Sequence, residues 1–266
     1  MKRFSFTFSA EELAPYVDWS YFFHAWDIKH RDYASDEAQK LRRDAIALIQ
    51  QRGSGRGLFA LCDAQSDGED IIIEGERFPF LRQQHSDTAK PNLCLSDFIS
   101  PTADRIGLFA TSCDIRIEAG NDPYKQLLTQ TVADRLSEAA ASLMHRIIRT
   151  DANIWGYSPD EQLTIEEINL EKFRGIRPAV GYPSLPDQSI IFLIDKLLKL
   201  EEIKISLTAG GMMLPHASVC GMVFAHPAAH YFNVGSISDE QLQHYAQRRG
   251  LSVETIEKFL ARNIAK

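Results

Sequence analysis

Five short apolar runs follow one another between Arg56 and Glu118 with no helix-length segment between them, and this constrains the fold more than any other feature. The runs are Leu58–Cys62, Asp70–Glu74, Phe78–Arg82, Leu93–Phe98 and Arg105–Thr111. Parallel neighbours would need long crossover connections, whereas antiparallel ones need only turns. Asp67-Gly68 and Glu74-Gly75 suit tight turns, and Gln83–Pro91 reads as a polar loop. The stretch therefore predicts an antiparallel sheet. The first residues, Met1 to Phe8, alternate apolar and polar side chains and predict one more strand.

The rest of the chain reads mainly as helix. Ser9-Ala-Glu-Glu has the form of a capping box. Ser35–Gln51 is amphipathic, with Ala38, Leu41, Ala45, Ile46 and Ile49 on one face. Asp122-Pro123 opens the longest helix, whose apolar stripe is Leu128, Val132, Leu136, Ala140, Leu143 and Ile147. Asp134, Glu138 and His145 fall on another face, which on pattern alone is a solvated one. Thr164–Phe173 predicts a shorter helix capped by Thr164, and Ser189–Leu200 a buried one. Met212–Pro215, Ser218–Phe224 and Tyr231–Gly235 predict strands. Ser238 caps a helix that Gly250 stops, and Ser252 caps the last. The predicted class is α+β: a mainly antiparallel twisted sheet with flanking helices, forming one domain over residues 1–266.

Several functions fit poorly. The net charge of −7 argues against a broad nucleic-acid surface. No segment is long and apolar enough to span a membrane, and the start does not resemble a signal peptide. Cys62, Cys94, Cys113 and Cys220 are widely spaced, which suits packed, reduced thiols in the cytoplasm. Gly53-Ser-Gly-Arg-Gly lacks the Gly-Lys-Ser/Thr of a phosphate loop and follows a helix. His226 and His230 stand four apart, but Pro227 and the strand context spoil a helical metal site. The one adjacent glycine pair, Gly210-Gly211, comes too late for a nucleotide-binding turn after an early strand.

The decapeptide Arg174–Pro183 is the least generic stretch. Pro178 and Pro183 stiffen it and push Arg177 and Tyr182 toward extended geometry. Gly175 and Gly181 permit positive φ or a close approach. A guanidinium at Arg177 could grip a carboxylate through paired hydrogen bonds, or the segment could be a stiff connector with a solvated arginine. Asp18 sits among Tyr16, Trp19, Tyr21, Phe22, Phe23 and Trp26, either as a helix cap or facing a cation.

Arg177-Pro-Ala-Val-Gly181-Tyr182 resembles the S-adenosylmethionine-binding signature of the activation (reactivation) domain of cobalamin-dependent methionine synthase. Further segments resemble the same family in the same order: Tyr16-Val-Asp-Trp-Ser-Tyr-Phe-Phe, Asn92-Leu-Cys-Leu-Ser-Asp-Phe, Asp134-Arg-Leu-Ser-Glu-Ala and Trp155-Gly-Tyr-Ser-Pro. Ala217-Ser-Val-Cys-Gly, Phe224-Ala-His-Pro and Tyr231-Phe232 continue the likeness.

The resemblance implies specific roles. Arg177 would hold the S-adenosylmethionine carboxylate, the backbone around Ala179 the adenine, and Asp18 the amino group. Glu138 and Glu171 match acids near the same site, Gly181 and Tyr182 complete the signature, and Tyr231 is an aromatic beside the ligand. Phe232 stands where relatives carry Tyr, and Gln188 where a His is common. No acid–base residue is implied, because the group leaving the methyl is a neutral thioether. The implied partners are a cobalamin-carrying methionine synthase chain and a flavodoxin-type electron donor. In the family the domain is usually the C-terminal part of a much larger chain, so the expectation that this one acts in trans as a separate subunit is a departure from the resemblance. A non-catalytic S-adenosylmethionine or corrinoid-protein sensor is the alternative.

Overall fold

The computed structural model describes residues 1–84, 91–115 and 121–264. Glu118 and most of the Gln83–Pro91 stretch lie outside the described residues. In chain order the strands are β1 (Lys2–Ser9), β2 (Ser54–Asp67), β3 (Asp70–Ile73), β4 (Glu76–Pro79), β5 (Asp104–Ser112), β6 (Ser206–Leu207), β7 (Met213–Leu214) and β8 (Ser218–Val223). The α-helices are α1 (Ala10–Leu13), α2 (Trp19–Ala25), α3 (Asp36–Arg52), α4 (Pro123–Thr150), α5 (Ile165–Asn169), α6 (Ile190–Leu198), α7 (Asp239–Arg249) and α8 (Val253–Phe259).

The main sheet runs β4-β3-β2-β5-β8, with β1 also on β2, and every pairing is antiparallel. β6 and β7 make a separate two-stranded ribbon. Long strand β2 supports the sheet by pairing with β1, β3 and β5 along its length. Alternation divides its side chains between two cores. Phe59 and Leu61, with Phe109, Val219 and Val223, face α3 and α4. Leu58, Ala60 and Cys62, with Ile106, Leu108, Cys220 and Met222, face α6 and the 3-10 turn Leu200–Ile203. Both faces are covered, so the central strands read as continuous apolar runs. A smaller core under α7 and α8 contains Leu242, Tyr245 and Ile256.

Most caps form as the sequence predicts. Ser9 and Thr164 make capping boxes, Asp122 caps α4, and Gly250 ends α7 in the left-handed conformation. Several boundaries differ. Leu93–Phe98 is not a strand: Leu95–Phe98 coils into a 3-10 turn because the Asp97 carboxylate accepts from the Cys94 amide at 2.8 Å. The predicted helix Thr164–Phe173 stops at Asn169, and Glu171 follows at φ 55°. On α4 the buried row continues through Met144 and Ile148, leaving Leu143 and Ile147 half-buried. On α3, Leu48 is buried in place of Ile46. The glycines of Gly53-Ser-Gly-Arg-Gly end α3 and start β2, where a Cβ at Gly55 would touch Leu13, Ala140 and Cys113.

Candidate functional site

The signature decapeptide is half a strand. Ile176 and Phe224 exchange both backbone hydrogen bonds, at 3.0 and 2.9 Å. Pro178 accepts from the Met222 amide at 3.0 Å but has no N–H to return, and Val180 donates to Cys220 at 2.9 Å. The segment thus lies antiparallel along the outer edge of β8, where a proline is tolerated. The period of two then sorts its side chains. Ile176 and Val180 enter the α6-side core, while Ala179 joins the α4-side core. Arg177 shares the Ala179 face, so its guanidinium reaches α4.

A cavity of about 600 Å³ opens there, a size usual for small-molecule sites. Asp18, Glu138, Glu171, Arg177, Ala179, Tyr182, Tyr231 and Phe232 all line it. Of the nine residues singled out in the sequence, only Gly181 is not on the wall. It takes φ 86°, and a Cβ there would lie 2.6 Å from Gln188 Oε1. Gln188 donates to the Gly211 carbonyl at 2.8 Å, so this side chain ties the signature to the tip of the β6–β7 ribbon.

Arg177 is the electrostatic centre. Its Nη2 donates to Ser142 Oγ at 2.8 Å, and its Nη1 stands 3.8 Å from Glu138 Oε2. Its Nε is buried and has no partner among the described residues. Glu138 accepts at Oε1 from the Tyr182 hydroxyl at 2.8 Å. The Arg177 amide donates to the Tyr231 hydroxyl at 3.0 Å. Desolvation raises the pKa of both Tyr182 and Tyr231, keeping each a neutral hydrogen-bond donor. Glu171 is exposed as a residue, yet loss of water pushes its carboxyl pKa up, with Arg177 pulling the other way.

Asp18 caps α2, one of the two readings considered from the sequence, and also lines the cavity. Ser20 N, Ser20 Oγ and Tyr21 N all donate to Oδ1, so no cap contact uses Oδ2. Tyr231-Phe232 is not the predicted strand. It is pinned by Ser184, whose hydroxyl donates to the Phe232 carbonyl and accepts from the Phe232 amide at 3.0 Å. His226 and His230 are exposed, each bonding to the Ala228 backbone and resting against Phe98.

Sequence reasoning singled out Glu138 and His145 on the polar face of α4 but not the full row they belong to. Arg135, Glu138, Ser142, His145 and Arg149 recur at alternating spacings of three and four, which aligns them on one helix face. The first three line the cavity. The last two are buried behind it: Arg149 makes two bonds to Glu161, at 2.7 and 2.6 Å. Its guanidinium stacks on Phe173 at 4.4 Å, and His145 meets the same ring edge-on. Phe173 in turn forms part of the cavity wall. The spacing was the available signal, but it also fits an ordinary solvated face.

These residues line a cavity of mixed charge, in which a guanidinium and carboxylates share the wall with apolar Phe173, Ile168 and Pro178. A family model for the activation domain of vitamin B12-dependent methionine synthase matches residues 9–250. The chain therefore belongs to that activation-domain family. A crystal structure of the MetH reactivation domain bound to AdoHcy is similar, at 34% identity and a TM-score of 0.92, covering 100% of this chain and 91% of that one. The mixed helices and curled antiparallel sheet match that fold. Among the described residues no helix is long and apolar enough to cross a membrane.

Proposed function

We propose that residues 1–266 form one S-adenosylmethionine-binding domain that supports reductive methylation of oxidised cobalamin on a methionine synthase partner. The observation that carries this reading is convergence. Asp18, Glu138, Glu171, Arg177 and Tyr231 come from five separated segments and line one cavity. The similar MetH domain bound to AdoHcy supports it.

The residues present fit this ligand. An amino-acid head carries a carboxylate and an ammonium, and the cavity offers Arg177, with a buried unpaired Nε, beside Glu138 and the uncommitted Oδ2 of Asp18. Ala179 supplies backbone and Phe173 an apolar surface for a flat base. Gly181 sets the turn that carries Tyr182, and Phe232 contributes packing without a hydroxyl. Bound S-adenosylmethionine supplies a methyl on sulfur, with a neutral thioether as the leaving group. The protein's contribution is to hold that head so that the methyl faces the partner, which makes transfer effectively unimolecular.

A cobalamin-carrying methionine synthase chain supplies the acceptor and a flavodoxin-type donor the electron. Four buried free thiols suit a reducing, cytoplasmic setting. The test has two parts. Calorimetry should detect S-adenosylmethionine binding, and Arg177→Ala should weaken it by about 2–5 kcal/mol by removing the partner of a buried carboxylate. Adding the chain to an inactivated methionine synthase lacking this domain, with S-adenosylmethionine and reductant, should restore turnover. Binding without restored turnover would leave a sensor and overturn the reactivation role.

A further inference from the structure

The five Ser and Thr hydroxyls of α4 do not behave alike. Thr129, Thr131, Ser137 and Thr150 each donate to a carbonyl of the preceding turn, at 2.7, 2.7, 2.8 and 3.0 Å. That back-bonding is the usual way for such a side chain to satisfy its proton inside a helix. Ser142 makes no such bond. Its oxygen instead accepts from Arg177 Nη2 at 2.8 Å, and the residue faces the cavity. A hydroxyl that accepts in this way still has a proton to donate. Nothing among the described residues takes it.

Tyr231 repeats the pattern on the other side of Arg177. Its oxygen accepts from the Arg177 amide at 3.0 Å, and its ring also lines the cavity. Two neutral hydroxyls thus lean on Arg177 without cancelling its charge, and both keep a proton in hand. Glu138, the one acid within ion-pair distance of this guanidinium among the described residues, stands back at 3.8 Å.

We propose that Ser142 is a further ligand-binding residue, which fixes the Arg177 guanidinium and donates its hydroxyl proton to the carboxylate of the bound amino-acid head. This rests on the S-adenosylmethionine reading above. Ser142 and Arg177 then form the carboxylate side of the head, and Glu138 with Asp18 the ammonium side. No charge is added by Ser142, so the full guanidinium charge remains for the ligand. Selection is for a zwitterionic head over an amine alone.

The test compares S-adenosylmethionine with its decarboxylated form, by calorimetry on wild type, Ser142→Ala and Arg177→Ala/Ser142→Ala against Arg177→Ala. Alanine keeps α4 intact, as equal melting temperatures will verify. Ser142→Ala should weaken the full ligand about 10-fold, the scale of a hydrogen bond to a charged group. The decarboxylated ligand should change less than about 2-fold, and in the Arg177→Ala background the full ligand should still weaken, though by less, because only the direct bond to the carboxylate remains there. An equal loss for both ligands would reduce Ser142 to packing and overturn the inference, as would no loss for either. Failure of wild type to bind S-adenosylmethionine at all would instead overturn the functional reading on which this one depends.

Discussion

Gly221 and Pro178 approach so closely that a Cβ on Gly221 would stand 2.2 Å from the Pro178 carbonyl oxygen. The same Cβ would meet Ala179 Cα at 2.8 Å and the Phe109 ring at 2.9 Å. Glycine on β8 is therefore what allows the signature segment to lie flat along the sheet edge and aim Arg177 at α4. Backbone and a packed ring cannot yield as a flexible side-chain tip could. Gly221→Ala should destabilise the protein by about 1–3 kcal/mol, the usual scale of overpacking. It should also weaken S-adenosylmethionine binding, because the strand carrying Arg177 must shift. Denaturant melts and calorimetry read the two effects.

Asp18 permits a cleaner separation of fold from function. Its Oδ1 holds the α2 cap, and an asparagine oxygen caps as well as an aspartate one. Asp18→Asn should leave stability within about 0.5 kcal/mol while weakening S-adenosylmethionine binding, since the negative charge facing the ammonium is gone. Asp18→Ala should lose both, with a stability cost of about 1 kcal/mol. Equal affinities for the Asp18→Asn variant and the wild-type protein, measured by calorimetry, would confine Asp18 to its capping role.

What the sequence made legible was local or periodic. Ser9, Asp122 and Thr164 announce their caps within three residues, and the strand alternation announces the sheet. Arg177-Pro-Ala-Val-Gly-Tyr pointed to the cavity through a resemblance. The remainder depends on contacts distant in sequence. Leu93–Phe98 has the composition of a strand, but Arg82 grips Asp97 through two 2.8 Å bonds and Asp97 caps the turn. Tyr231–Gly235 reads as a strand, but the Phe232 amide is satisfied by the side chain of Ser184 rather than by a neighbouring strand. Ser142 and Arg149 carry no local signal beyond their spacing: what marks them are Arg177, Glu161 and Phe173, all brought from distant segments. Pro178 disguised an edge strand as a connector, since the register shows only in partners far along the chain, Met222 facing Pro178 and Gly221 facing Ala179.

The Arg149–Glu161 pair should be the most sensitive structural element behind the site. Side-chain exposures of 0% and 5% leave no solvent to compensate either charge. Removing one partner of such a pair costs about 3–5 kcal/mol, whereas replacing both with apolar residues costs far less. Glu161→Gln should therefore lower stability by that amount, and Arg149→Met with Glu161→Leu should recover most of it. Urea denaturation measures both. The double variant should still bind S-adenosylmethionine more weakly, because Phe173 loses the guanidinium stacked on its ring.

His145 should make the protein sensitive to mild acid. The ring is buried, its Nε2 pairs with the Tyr157 hydroxyl at 2.9 Å, and its Nδ1 is unpartnered among the described residues. Burial, then the nearby charges of Arg149 and Arg177, hold its pKa well below the ordinary 6.5. As pH falls below about 6.5, the unfolded chain binds a proton that the folded chain refuses. Stability rises with pH wherever the unfolded state binds more protons, so this contribution is intact above that range and is lost on acidification toward the depressed folded value. His145→Gln should flatten that part of the curve, whatever its effect at neutral pH. Because the folded ring stays neutral over this window, the cavity wall it forms with Phe173 does not change, and S-adenosylmethionine affinity of the folded protein should hold steady while stability falls. Melting temperature and calorimetric affinity from pH 7.5 to about 5 would test this, and identical melting slopes in the two proteins would assign the acid sensitivity to other groups.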